Sequence, residues 1–277
     1  MKKILAVAAA AAVLGAGAAM SADLPSRKYA PPPPVAPVFS WTGFYVGANA
    51  GYSWNQSHTR YDYALADRED FAQFNALGLV PMSLGSDADG FLGGGQIGYN
   101  YQIGRVVVGV EADLQYLDAR QSSWQAATLN NAFSSATITT TAQASVDWLG
   151  TLRLRAGYEV FDRTLVYATG GLAYGRTKNR TTITSTGFDD DGPFLGAWSG
   201  SKHDNRVGWA LGAGVEYAIT NNLTLKGEYL YYDLGRTRYV VAGNSNDPDD
   251  EFLGANARRK THGHVVRAGL NWKFSTF

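Results

Sequence analysis

The sequence predicts an all-β fold, namely an eight-stranded antiparallel up-and-down transmembrane β-barrel with short turns at one end and four long connections at the other. Apolar side chains alternate with small or polar ones at a period of two, so they fall on opposite faces of a strand. Aromatic residues gather near both ends of the apolar faces, which is typical of strands that cross a bilayer. Beyond the N-terminal segment, no stretch approaches the roughly 20 apolar residues that a transmembrane helix needs.

The N-terminal segment has the form of a secretory signal peptide, because two lysines precede an Ala-rich apolar run that is followed by small residues. Cleavage after Ser21 is preferred, and cleavage after Ala22 is the alternative. An exported chain without transmembrane helices can occupy a membrane only as a closed barrel. The predicted segments are a signal peptide at residues 1–21, a Pro-rich periplasmic spacer at 22–40 and an outer-membrane β-barrel domain at 41–277.

The hairpin at residues 207–231 shows the strand pattern most clearly. On its first strand Val207, Leu211 and Val215 lie on one face, and the positions between the apolar residues are glycine, alanine or glutamate. The same alternation predicts six further strands, at residues 44–54, 91–101, 106–116, 146–158, 164–174 and 264–274. The predicted short turns lie near Gly104, Asp162 and Thr220, and the predicted polar loops are residues 55–90, 117–145, 175–206 and 234–263.

Composition excludes several classes of protein. The chain has no cysteine, which rules out disulfides, thiol catalysis and a lipid-modified N-terminal cysteine. Its 24 basic and 24 acidic side chains are mixed along the chain and give no net charge, so no nucleic-acid partner is predicted. Mean hydropathy is mildly negative, which suits a barrel because only every second residue of a strand faces lipid.

Four motifs at strand positions carry a family resemblance. They are Trp41-Thr42-Gly43-Phe44-Tyr45-Val46-Gly47, Asp147-Trp148 with Arg153 and Gly157-Tyr158, Tyr167-Ala168-Thr169-Gly170-Gly171, and Trp272-Lys273-Phe274. They resemble the small porin-like outer-membrane proteins of alphaproteobacteria, called outer membrane immunogenic proteins, which are relatives of the OmpA-like eight-stranded barrels. The resemblance implies a place in the cell outer membrane, with short periplasmic turns and four long extracellular loops.

The resemblance also implies partners. These are outer-membrane lipid, lipopolysaccharide, and the barrel assembly machinery, which would bind the C-terminal strand. Chains of this family usually stop at the aromatic residue that matches Phe274, whereas this one continues to Phe277. Either phenylalanine could therefore be the insertion signal.

The inward faces of the predicted strands carry charges of both signs. Counted from the turns, Glu111 falls beside Arg153, and Glu228 falls close to Arg267. A packed, salt-bridged plug and a narrow gated pore for small solutes both agree with this pattern. The predicted lumen charge network consists of Glu111, Asp113, Arg153, Arg155, Glu216, Lys226, Glu228 and Arg267, with Asp147 and Lys273 on the same faces.

The opposite faces end in aromatic side chains, which predicts two lipid-facing belts at the headgroup level. The predicted girdle consists of Tyr52, Trp54, Tyr99, Tyr101, Tyr116, Trp148, Tyr158, Trp209, Tyr217, Tyr229, Tyr231, Trp272 and Phe274. A soluble, lipocalin-like ligand-binding barrel is the alternative fold. It is disfavoured because a soluble calyx needs an apolar interior and a charged exterior.

Other candidate sites are weaker. Loop histidines with nearby tyrosines could contact haem or a metal, and some members of the resembled family are described as haemin binders. Histidines in solvated loops are usually free of ligands, so no cofactor and no metal are predicted. The acidic runs at 189–192 and 247–251 lack calcium-loop spacing but could be bridged to lipopolysaccharide by divalent ions. The candidate haem residues are His58, His203, His262 and His264 with Tyr61 and Tyr63.

The predicted function is structural. No spacing of serine, histidine and aspartate resembles a catalytic site, so the chain is predicted not to be an enzyme. We expect a surface-exposed barrel that contributes to envelope integrity. The alternatives are a narrow porin for passive diffusion of small solutes, and a haem-binding protein or adhesin whose long loops hold a host or small-molecule ligand.

Overall fold

The structure is a computed structural model that describes residues 39–65, 78–79, 81–130, 135–189, 192–245 and 252–274. The predicted signal peptide, most of the predicted spacer, and Phe277 lie outside the described residues. Within the described ranges, no helix is long and apolar enough to span a membrane.

Eight strands make up almost all of the described chain. Each strand pairs antiparallel with the next, and β8 pairs with β1, so the sheet closes into a barrel. Closure removes the unpaired strand edges that hydrocarbon cannot accommodate. The strands are β1 Gly43–Leu65, β2 Ser83–Ile103, β3 Val106–Asn130, β4 Ser135–Phe161, β5 Thr164–Asp189, β6 Gly192–Ala218, β7 Leu223–Ser245 and β8 Phe252–Lys273.

The two ends of the barrel differ. At one end, which we call the turn end, residues 104–105, 162–163 and 219–222 connect consecutive strands, and β1 begins and β8 ends there. Gly104 and Arg163 have φ values of +62° and +66°, the left-handed conformation that tight hairpin turns require. The opposite end, where the other four connections lie, is the loop end.

The strands are much longer than the sequence predicted. They contain 21 to 27 residues, whereas about 9–11 residues suffice to cross a bilayer. The predicted polar loops at 117–145 and 175–206 were wrong, because strand continues as far as Asn130 and Asp189 and resumes at Ser135 and Gly192. The loop-side parts of β1, β2, β7 and β8 likewise replace most of the other two predicted loops.

Apolar side chains inside the barrel form three clusters in succession along the axis. On β7, Lys226 and Glu228 are followed by Leu230, Tyr232 and Leu234, which belong to the middle cluster. The turn-end cluster is Trp41, Val107, Leu165, Tyr167 and Ala218. The middle cluster is Leu92, Leu117, Val146, Leu149, Ala173, Ala210, Leu230, Tyr232, Leu234 and Val265. The loop-end cluster is Tyr61, Leu84, Ala142, Ile183, Trp198, Tyr239, Val241, Ala255 and Ala257.

Candidate functional site: the ion-paired barrel interior

Charged side chains from β3, β4, β6, β7 and β8 meet inside the turn-side half of the barrel. All eight residues of the predicted lumen charge network point inward and are buried. Four carboxylates face three guanidinium groups and one ammonium group, so the formal charges cancel. We call this set the ion-pair network; its members are Glu111, Asp113, Glu216, Glu228, Arg153, Arg155, Lys226 and Arg267.

Arg153 lies at the centre of the ion-pair network. Its Nη2 is 2.7 Å from both Glu111 Oε1 and Asp113 Oδ2, and its Nη1 is 2.9 Å from Glu228 Oε1. Glu111 is its direct register partner on β3, so strand pairing alone brings these two side chains together. The residue is 1% exposed, and one guanidinium thereby serves three carboxylates away from water.

Arg267 contacts two of the carboxylates that also bind Arg153, and it does so from another wall of the barrel. Its Nε is 2.7 Å from Glu228 Oε2, and its Nη2 is 3.0 Å from Asp113 Oδ2. Glu228 is its direct register partner on β7. Removing one member of such a buried set leaves its partners uncompensated, which typically costs about 3–5 kcal/mol.

The remaining pairs lie closer to the turn end. Arg155 Nη2 is 2.6 Å from Glu216 Oε2. Lys226 is the register partner of Glu216, but its Nζ is 2.8 Å from both carboxylate oxygens of Glu111 instead. Pairing across the barrel therefore joins strands that are not neighbours in the sheet.

Two tyrosines that are not part of the predicted lumen charge network form hydrogen bonds with carboxylates of the ion-pair network. Tyr45 donates its hydroxyl to Glu111 Oε2 at 2.7 Å, and Tyr167 donates to Glu228 Oε1 at 3.3 Å. The Arg155 guanidinium stacks 4.0 Å above the Tyr167 ring. Both tyrosines lie on the inward face by strand alternation, which was the signal available in the sequence. Gly98 faces Tyr45, and a Cβ there would collide with the phenol ring.

Two further charged residues that were predicted on the inward faces lie outside the ion-pair network, and only Lys273 of the two is buried on the inward face. Asp147 sits at a register shift between Val146 and Trp148, and its Oδ2 pairs with Lys178 Nζ at 2.8 Å. The extra residue at this bulge turns Val146 inward and takes Asp147 out of the network. Lys273 lies at the turn end, where its Nζ is 4.5 Å from the Phe39 ring centroid.

The interior beyond the network is filled with apolar side chains. Leu149, Leu230 and Val265 of the middle cluster have no exposed surface. Above them, polar residues around Asn55, Thr177 and Thr261 line a cavity of about 20 Å³. That volume corresponds to about one water molecule.

All thirteen residues of the predicted aromatic girdle point outward and keep part of their surface exposed. Tyr52 and Trp54 pack together on the loop side, with ring centroids 5.1 Å apart, and Trp209 packs on Tyr231 at 5.3 Å. Between this belt and the aromatic residues near the turns, the outer surface is apolar, as at Leu154, which is 72% exposed.

The structure brings two of the candidate haem residues, His58 and His262, to the lining of one hollow on the outer face, and it places the candidate tyrosines apart from that hollow. His264 faces outward, with its Nδ1 2.6 Å from the Tyr229 hydroxyl. Tyr61 faces inward, and its hydroxyl is 3.2 Å from Thr181 Oγ1. Tyr63 donates its hydroxyl to the Pro81 carbonyl at 2.9 Å. In the described part of the chain, no group of three or more His, Asp or Glu side chains is placed to hold a metal ion.

Comparison with known proteins assigns this barrel to a family. A family model described as the outer membrane protein beta-barrel domain matches residues 7–274. The chain belongs to this family. It is 40% identical over 271 residues to the 31 kDa outer-membrane immunogenic protein of Brucella melitensis, an alignment that covers 97% of this chain and 98% of that protein.

Further relatives of this outer-membrane barrel include the 22 kDa outer membrane protein of Rhizobium leguminosarum. It is 31% identical over 214 residues, which cover 76% of this chain and 73% of that protein. Among solved structures, OprG of Pseudomonas aeruginosa is similar with a TM-score of 0.44 and 13% identity, covering 86% of this chain and 99% of that one. The predicted family and the outer-membrane location are confirmed.

Proposed function

We propose that the protein is a closed structural barrel, which contributes to envelope integrity and presents its loop end at the cell surface. In this proposal the eight described strands form an up-and-down transmembrane barrel. The observation that carries the proposal is the ion-pair network, which fills the interior with mutually compensated charges. An eight-stranded barrel is just wide enough for its own side chains to fill, so a packed network leaves no channel.

The proposed orientation places the turn end in the periplasm. Outer-membrane barrels have short periplasmic turns and longer extracellular connections, and the strands here extend far beyond the aromatic belt only on the loop side. Phe274 follows β8 at the turn end, where its N–H donates to the Phe44 carbonyl at 2.9 Å. We therefore favour Phe274 over Phe277 as the signal that the assembly machinery binds.

We infer a non-enzymatic role, which the chemistry of the loop-side interior supports. Hydroxyl groups there are bonded to one another, as in the contact of 2.8 Å between Thr181 Oγ1 and the Tyr239 hydroxyl. A hydroxyl nucleophile needs an adjacent general base, and the outward-facing His264 is bonded to a tyrosine of the girdle instead.

The envelope role predicts a detergent phenotype. Deleting the gene should make cells more sensitive to detergents and bile salts, because the outer membrane loses a rigid component. The intact chain and the Arg105→Gln variant, changed in an exposed turn, should restore resistance. A deletion strain that resists detergents like its parent but takes up a small hydrophilic solute more slowly would contradict the structural role and support the porin alternative.

A further inference from the structure

Basic side chains cover the outer face of β1, β7 and β8 just beyond the loop-side aromatic belt. We call them the basic patch: Arg60, Arg236, Arg238, Arg258 and Lys260. All five lie on outward positions, and the four arginines are exposed. They follow Trp54 on β1 and Tyr231 on β7, and precede His264 on β8.

Strand register places these like charges directly opposite one another. Arg258 of β8 has Arg60 of β1 as its partner on one side and Arg238 of β7 on the other. Arg236 of β7 is in turn opposite Lys260. Like charges opposite each other in an antiparallel sheet destabilise the pairing. The register therefore concentrates positive charge in a row across three strands.

Acidic side chains compensate only part of this charge. Asp62 Oδ2 is 3.1 Å from Arg258 Nη2, and Asp233 Oδ2 is 3.0 Å from Lys260 Nζ. Five basic groups thus face two acidic ones. For Arg60, Arg236 and Arg238, the described residues include no ion-pair partner.

The basic patch surrounds a concave site. A cavity of about 340 Å³ is lined by His58, Arg60, Arg236, Arg258, Arg259, Lys260 and His262. Burial and the charge of Lys260 lower the pKa of His262. A positively charged hollow of this kind is suited to an oxyanion.

The height of the hollow matches the polar layer of the outer leaflet. Lys260 lies four residues beyond His264, and Arg236 lies five residues beyond Tyr231. With a strand rise of about 3.3 Å and a tilt of about 45°, these groups stand roughly 10 Å above the aromatic belt. Lipid phosphates lie just outside the level of such belts.

We propose that the basic patch binds the phosphate groups of a lipopolysaccharide molecule in the outer leaflet. The proposal rests on the orientation given under the proposed function, with the loop end outside the cell. A phosphorylated headgroup supplies the anions that the row of arginines lacks, and its acyl chains lie along the apolar band below. Arginine suits this role because its planar guanidinium binds phosphate through two parallel hydrogen bonds.

The test uses full-length mature protein refolded in detergent free of lipopolysaccharide and titrated with diphosphorylated lipid A. We expect the triple variant Arg60→Gln, Arg238→Gln, Arg258→Gln to bind roughly 100-fold more weakly, and Arg258→Gln alone about fivefold more weakly. Lipid A from which the phosphates have been removed should bind the intact protein as weakly as it binds the triple variant. Heat-modifiable gel migration verifies that each variant is folded.

A matched variant removes the same charge elsewhere at the loop end. Arg176→Gln, Arg180→Gln, Lys202→Gln acts on β5 and β6, where none of the three residues has a basic register partner. This variant should retain binding to within a few-fold. Equal losses in the two triple variants, or equal binding of phosphorylated and dephosphorylated lipid A, would overturn the proposal.

Inorganic phosphate distinguishes a lipid site from a site for free anions. Because the acyl chains contribute to binding, millimolar phosphate should displace little lipid A. Displacement at that concentration would overturn the assignment to lipid. Neither outcome depends on the detergent phenotype, so this proposal and the proposed envelope role can fail separately.

Discussion

The turn-side and loop-side halves of the barrel differ in how strictly their strands are paired. In the turn-side half, β6 pairs with β7 without interruption from Trp209 to Ala218. In the loop-side half the same two strands lose their register between Ser199 and Trp209. Shifts also occur on the loop side of β3–β4, β4–β5 and β7–β8, whereas the turn side has one, next to the turn at Phe161.

The difference shows what fixes strand register. Where lipid surrounds the barrel, a slip of one residue would move every apolar side chain inward and every charged one into hydrocarbon. Beyond the aromatic belt the outer face meets water or headgroups instead of hydrocarbon, so a slip costs less and bulges are tolerated. In these four strand pairs, uninterrupted pairing therefore ends near the level where the membrane ends, whereas β5 and β6 stay in register as far as Asp189 and Gly192.

The interiors of the two halves differ as well. The turn-side half contains the ion-pair network, whereas the loop-side half is held by hydroxyl groups around Tyr61, Thr181 and Tyr239. Burial raises the pKa of Tyr61 to about 12, so this tyrosine is neutral at physiological pH. Arg259 donates to Thr59 Oγ1 at 3.1 Å, and burial lowers its pKa.

The largest effect should come from removing the central arginine. Arg153→Met leaves Glu111, Asp113 and Glu228 without their shared cation, and should lower the free energy of unfolding by about 3–5 kcal/mol. Arg259→Met in the loop-side interior is the matched change and should cost about 1 kcal/mol. Urea unfolding in detergent, followed by tryptophan fluorescence, measures both. Similar losses in the two variants would contradict the contrast between the interiors.

A smaller loss of stability, at outward positions of different height, should show where the membrane ends. Leu211, 56% exposed on β6, faces lipid between the aromatic belts, so Leu211→Arg should cost about 2–4 kcal/mol. Val240, 63% exposed on β7, lies beyond the belt, and Val240→Arg should stay within about 0.5 kcal/mol. The two losses can be compared by measuring the fraction of each variant that folds into lipid vesicles at increasing urea concentration. An equal loss at Val240 would place the loop-side half inside the bilayer.

A substitution at the neighbouring inward position distinguishes the cost of placing a charge in lipid from the cost of crowding the barrel interior. Gly212 faces the interior, where a Cβ would meet the Tyr229 carbonyl and the Leu230 side chain. Gly212→Arg should therefore disturb packing whether or not lipid is present. Leu211→Arg should be tolerated in a detergent micelle, whose surface can adapt to the charge.

The smallest effect concerns His262 and pH. Burial and the charge of Lys260 lower the pKa of His262 below 6.5, so below that pH the unfolded chain binds a proton that the folded chain does not. The free energy of unfolding should fall as the pH drops from about 7.5 to about 5.5, by well under about 1 kcal/mol because the side chain is half-exposed. His262→Gln should flatten this dependence. If the free energy of unfolding of His262→Gln fell with pH as steeply as that of the intact protein, the pH dependence could not be attributed to His262.

Much of the turn-side half could be predicted from the sequence, because lipid outside and charge inside produce a period of two. The predicted neighbours Glu111 and Arg153 are register partners for that reason. The pattern fades at the middle cluster, where Leu230 faces inward beside the outward Tyr229 and Tyr231, so both faces are apolar. Asp147 was misplaced because a bulge reverses the alternation, and a bulge has no clear signature in a single sequence.

The loop-side strands were missed for a different reason. The segment from Thr181 to Thr186 is polar except for Ile183, so it lacks the apolar periodicity that identifies a strand. Its threonines are β-branched and favour extended backbone, which was the available signal. Propensity without periodicity does not determine which way side chains point, and so the loop-end cluster around Trp198 could not be predicted.

The central claim is that the ion-pair network closes the barrel, and single-channel recording in planar bilayers tests it most directly. The intact protein should show no stable conductance steps. The double variant Glu228→Ala, Arg267→Ala removes two register partners without changing the net charge, and it should show brief openings because their side-chain volume is lost. Large, stable, porin-sized steps from the intact protein, unchanged in the double variant, would contradict the account.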